Sequence, residues 1–147
     1  MKALRHAACT LLGAVFLLAS PAYPAAFSTD QSDLYYIAAE SGWGVQLVQR
    51  GSDIFATLFV YDQNGNPTWY TATMDYTSNL TWTGTLYATT NGTYFGSPWN
   101  PATLIVTPVG TMTWQAPLVS GGILTYVVNG ATVVKNVVRQ TLVLDDC

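Results

Sequence analysis

Glu40, Asp53, Asp62 and Asp75 are the carboxylates best placed for chemistry in a 147-residue chain that has only one histidine and two cysteines. Carboxylate pairs are what glycoside hydrolysis requires. Asp53 and Asp62 fall in expected turns, where an aspartate bonds its own backbone. Glu40, immediately before Ser41-Gly42, is the acid that remains a candidate. The histidine and one cysteine lie at the amino terminus, which reads as a secretory signal over residues 1–22. Lys2, Arg5 and His6 form its basic start, Leu11 to Leu18 its apolar run, and Ser20 and Ala22 its small-residue cleavage pattern. Ala26 is a second cleavage point. The apolar run is short for a membrane span.

Cleavage removes His6 and Cys9, and with them any Ser-His-Asp or Cys-His arrangement and the usual histidine ligands of zinc. No catalytic residue, metal or cofactor is expected. Asp62-Gln63-Asn64-Gly65-Asn66 echoes a calcium loop but lacks its later glutamate and flanking helices; a hairpin turn explains it. The processed chain keeps Arg50, Lys135 and Arg139 against eight acids. Nucleic acid binding needs clustered lysine and arginine and is excluded as a role. Cys147 alone cannot close an intrachain disulfide, so it either joins two chains or is incidental.

Binding chemistry is better supplied. Five tryptophans and nine tyrosines are many for one small domain. Phe59, Tyr61, Tyr70 and Trp99, with Gln46, Thr57, Asn100 and Glu40 as polar handles, form a candidate ligand surface of flat apolar rings and a few hydrogen-bonding groups. Such a surface suits a pyranose face or a small apolar molecule.

The elements that must position these residues are strands. Threonine, valine and aromatics dominate, and no window has helical periodicity. Strands are expected at 43–50, 54–62, 67–76, 80–90, 102–109, 111–116, 122–129 and 131–143, after a flexible leader at 23–34 and within a single domain at 35–147. Asn64-Gly65 and Asn129-Gly130 predict two-residue type I′ turns, and Gly51-Ser52 a type II′ turn. The fold class is all-β: an antiparallel meander of about eight strands closed as a barrel, lipocalin- or streptavidin-like in shape, with a β-sandwich as the alternative.

Those turns fix the register. Gly51-Ser52 sets Gly44 opposite Phe59 and Arg50 opposite Asp53. Asn64-Gly65 sets Val60 opposite Trp69 and Phe59 opposite Tyr70. One face then collects Trp43, Val45, Leu47, Ile54, Ala56, Leu58, Val60 and Trp69 as the core, and the other collects Gln46, Val48, Phe55, Thr57, Phe59, Tyr61, Tyr70, Ala72 and Met74. A slip of one residue would exchange the faces. At the last turn Leu124 pairs with Lys135, and Lys135 and Arg139 share what reads as a solvated face.

Glu40-Ser41-Gly42-Trp43-Gly44, Phe59-Val60-Tyr61-Asp62 through Gly65, Pro67 and Trp69, Trp82-Thr83-Gly84-Thr85-Leu86-Tyr87, Val109-Gly110, and Leu124-Thr125-Tyr126 through Asn129-Gly130 to Arg139-Gln140 together carry a resemblance. The chain resembles a family of small secreted proteobacterial β-domains of uncharacterised function. The resemblance implies an exported domain and supplies no catalytic residue. Tyr35-Tyr36-Ile37-Ala38-Ala39 stands where the family has a tryptophan- and asparagine-rich run. The expectation is a secreted or periplasmic, non-catalytic domain that binds a small apolar ligand or glycan through its aromatic face. A structural module that docks another protein or a second copy is the alternative, and a carboxylate hydrolase stands third.

Overall fold

A computed structural model describes residues 30–118 and 120–140; the expected signal segment, Cys147 and the rest of the tail lie outside them. Eight antiparallel strands follow one another around a closed barrel: β1 (Asp33–Tyr36), β2 (Gly44–Arg50), β3 (Asp53–Tyr61), β4 (Pro67–Ser78), β5 (Thr81–Thr90), β6 (Ile105–Leu118), β7 (Gly121–Val128) and β8 (Ala131–Arg139). One 3₁₀ turn, Pro101–Thr103, interrupts the β5–β6 loop. The expected number of strands is met by two compensating differences. The strands expected at 102–109 and 111–116 form, from Ile105 onward, one strand, β6, which absorbs Pro108 at a register shift opposite Leu86 and Tyr87, while 102 and 103 fall in the 3₁₀ turn. The additional strand is β1, and its start at Asp33, with Gln31 buried before it, places the end of the 23–34 leader segment inside the fold.

Turn chemistry explains the register. Gly51 takes a φ of +60° and Ser52 does not follow it, consistent with the type II′ reading, and the pairs Gly44–Phe59 and Arg50–Asp53 form as expected. Phe59 lies over Gly44, where a β-carbon would stand 2.9 Å from its ring, the usual covering of a strand glycine by a cross-strand aromatic. Asn129 and Gly130 both have positive φ, and Leu124 pairs with Lys135. The β3–β4 connection differs from its expectation. Asp62 accepts hydrogen bonds from the Asn64 and Asn66 amides at 2.8 and 2.9 Å, and its own N–H donates to the Asn66 carbonyl. Only Gly65 has positive φ, so the turn is a three-residue loop, Gln63-Asn64-Gly65, with the glycine in the left-handed position.

That one extra residue turns over the whole of β4. Phe59 pairs with Trp69 and Leu58 with Tyr70. Trp69 leaves the expected core for the outer wall, and Tyr70, Ala72 and Met74 face the interior, the last two fully buried. The core is Tyr35, Val45, Leu47, Ile54, Ala56, Leu58, Ala72, Met74, Trp82, Leu86, Met112, Trp114, Ala116, Leu124 and Val137, with Trp43 and Val60 packed half-buried against it.

The two ends of the barrel differ. Around the β2–β3 and β4–β5 turns the interior is plugged by Trp82 and Trp114. The Trp82 Nε1 donates to the Ser52 carbonyl at 2.7 Å and the Trp114 Nε1 to Gln31 Oε1 at 3.3 Å. The Tyr35 ring lies 4.6 Å from that of Trp114, and its hydroxyl donates to the Gln31 carbonyl. At the opposite end the inward residues become progressively less buried. Leu58 is followed by Val60, Ala72 by Tyr70, and Leu124 by Tyr126 and Val128. The wall closes through a short seam in which β1 meets β8 at Tyr35–Arg139 and Tyr36–Val138, extended by the Gln140 amide donating to the Leu34 carbonyl.

Lys135 and Arg139 are not on a solvated face. Both share the inward side of β8, since Lys135 pairs with buried Leu124 and Arg139 with buried Tyr35. Each charge is met there. Lys135 Nζ lies 2.7 Å from Glu40 Oε2, and Arg139 Nη1 lies 3.0 Å from Asp33 Oδ2 and donates through Nη2 to the Asp30 carbonyl.

Candidate functional site

Alternation along β2, β3 and β4 carries Gln46, Thr57, Phe59 and Tyr61 to the outer wall. Two cross-strand rows lie side by side on it: Gln46–Thr57–Thr71–Tyr87, and Gly44–Phe59–Trp69. A third pair, Val48–Phe55, extends the surface toward the plugged end. Phe59 is 37% exposed, Trp69 49% and Tyr61 55%. Directly opposed residues stand close enough for rings on one row to touch. None of these side chains carries a formal charge, and the neutral Gln46, Thr57 and Thr71 separate the apolar residues. Beside Phe59 the wall dips into a hollow of about 310 Å³ lined by Leu34, Tyr36, Trp43 and Gln140. The result is an aromatic ribbon on a convex wall over a filled interior.

The remaining candidates separate from it. Tyr70 faces inward. Trp99 is exposed on the β5–β6 loop and lines neither the hollow nor the mouth. Asn100 holds that loop together: its Oδ1 accepts from the Ala102 amide at the start of the 3₁₀ turn, and its own N–H donates to Thr93 Oγ1. Glu40 sits in the β1–β2 loop with its Oε2 accepting from Lys135 and from Trp43 Nε1 at 3.2 Å. The Lys135 ammonium, bonded to that carboxylate, holds it below the usual glutamate range.

The open end forms a second concavity, of about 520 Å³, lined by Val60, Tyr61, Tyr70, Tyr126, Val128 and Val133 with Asp62, Asn64 and Asn129 at the rim. Tyr126 and Tyr70 reach it from β7 and β4. Burial pushes the Tyr126 phenol up. The Asp62 carboxylate, held by the Asn66 side chain and the turn amides, is shifted down. Lys135 lies nearby, its ammonium 5.6 Å from the centre of the Trp43 ring.

Trp69, Tyr126 and Lys135 were missed as site residues. Trp69 was hidden by the turn. Lys135 was legible, because pairing it with Leu124 already assigns both to one face. Among the described residues no three histidine, cysteine or acidic side chains gather into a metal site, and no helix is long and apolar enough to cross a membrane. No family model, curated protein or solved structure matches the chain.

Proposed function

We propose that this is an exported, non-catalytic binding module that docks a macromolecular partner, most simply another protein, through the outer aromatic ribbon. The observation that carries the reading is the Phe59–Trp69 pair, two large exposed aromatic residues at directly paired positions on an outer wall while the interior beneath is filled by the core. An exposed apolar surface without charge is the usual mark of an interaction site, and aromatic residues supply much of the energy of protein interfaces. A small apolar ligand needs a concave site; the hollow beside Phe59, about 310 Å³, is at the lower end of the size of such sites and leaves Trp69 outside it. A membrane-spanning barrel wears its apolar band outside and a polar lumen within; here the lumen holds the apolar core.

Glu40, the acid singled out for hydrolysis, is tied to Lys135 and Trp43. A general acid needs a proton near the working pH, which this ion pair disfavours. Export rests on the amino-terminal segment and on the resemblance to secreted domains.

The test is recovery of the wild type and of the Phe59→Ser/Trp69→Ser variant from the native host's extracellular fraction after chemical crosslinking. The wild type is expected to carry a discrete partner that the variant loses. An identical crosslinking pattern for both proteins, with the variant folded by circular dichroism, would overturn the proposal.

A further inference from the structure

The barrel mouth is a site of a different kind. Its walls mix apolar and polar surface: Val60, Val128 and Val133 and the rings of Tyr61, Tyr70 and Tyr126 alternate with Asp62, Gln63, Asn64 and Asn129. Two polar atoms stand out within it. Neither the Tyr70 nor the Tyr126 hydroxyl has a hydrogen-bond partner among the described residues, and neither is sealed away from solvent. The phenols come from β4 and β7, strands separated by β5 and β6, so they approach the cavity from different sides.

The charges around the mouth are already answered. Lys135 is neutralised by Glu40 at 2.7 Å, and the Asp62 carboxylate accepts from the Asn64 and Asn66 amides and from Asn66 Nδ2 at 3.0 Å. Among the described residues no unpaired cation lines the mouth to receive an anionic ligand. The intact Asp62 charge opposes an anion further. What is offered is aromatic surface, two neutral hydroxyls able both to donate and to accept, and amide groups from Asn64 and Asn129 at the rim. An alkyl or purely aromatic ligand would leave those hydroxyls unpaired on desolvation, which is costly.

We infer that the barrel mouth binds a small, neutral, polyhydroxylated ligand, a saccharide of one or two rings, stacked against Tyr70 or Tyr126 and hydrogen-bonded by their hydroxyls. The cavity falls within the size range of small-molecule sites. The inference does not rest on the Phe59–Trp69 pair, because neither residue lines the mouth; Tyr61 borders both surfaces.

Saturation-transfer NMR and calorimetry with glucose, N-acetylglucosamine and maltose test it. At least one of these sugars is expected to show transfer, and Tyr70→Phe/Tyr126→Phe, which keeps both rings and removes both hydroxyls, is expected to weaken it about tenfold or more. Phe59→Ser/Trp69→Ser is expected to leave it unchanged. No transfer from any of the three sugars would overturn the inference. So would binding that the double phenylalanine variant retains in full, or a mouth that takes up a fatty acid while ignoring the sugars.

Discussion

Trp69 and Trp114 show how much depends on where a ring points. Both are strand tryptophans, yet Trp114 is fully buried against Tyr35 and hydrogen-bonded to Gln31, whereas Trp69 stands half in solvent. Trp114→Ala is expected to cost about 3–5 kcal/mol in urea denaturation, the range for deleting a large buried ring. Trp69→Ser should cost no more than about 1 kcal/mol, the scale of a cross-strand pair. Equal losses would contradict the assignment of faces. Tyr35 gives a second reading of the same packing. Burial pushes its phenol up to about 12, with nearby Arg139 opposing that shift. Because the folded-state value lies above the unfolded one near 10, the neutral phenol's contribution is complete below pH 10 and is lost as pH rises toward 12. Alkaline titration at the tyrosinate absorbance band should show, besides the raised Tyr126, a late-ionising tyrosine whose ionisation coincides with unfolding, and Tyr35→Phe should remove that feature.

At the scale of elements the turns decide the outcome. Gly51-Ser52 and Asn129-Gly130 were legible because a glycine at a fixed turn position imposes one hairpin geometry, and the register of β2–β3 and β7–β8 followed. Asn64-Gly65 carried the same signal but yielded to Asp62, whose carboxylate captures two amides and lengthens the loop by a residue. Side-chain capture of the backbone is a tertiary-independent but poorly ranked competitor in sequence reading, and it misplaced Trp69 and Tyr70 together. β1 was hidden because four residues give too little alternation to recognise. The β4–β5 turn, Asn79-Leu80, is a different case, since both residues hold positive φ, at 48° and 55°. Leucine is strained in that region and glycine is not. Leu80→Gly is therefore expected to stabilise the protein by about 1 kcal/mol, read as a rise in the denaturation midpoint. An unchanged or lower midpoint would mean that the half-exposed Leu80 side chain makes packing contacts that outweigh the strain.

Taken whole, the molecule has a closed end plugged by tryptophans, an open end lined by tyrosines, and one side wall bearing the aromatic ribbon. Each surface has its own side chains, which is why composition alone could announce many aromatic residues without saying where they stand. The seam between β1 and β8 adds a consequence in time. Every other strand pair joins neighbours in sequence, but Asp33 and Arg139 are 106 residues apart, and such a loop is closed only after its entropy has been overcome by other contacts. The chain should first form an open, curled seven-strand sheet from β2 to β8 and become a barrel in a final, slower event. Pulse-labelling hydrogen exchange during refolding checks this: the amides of Tyr36, Val138 and Gln140 should gain protection last, and in the native state they should be the first of the barrel to exchange.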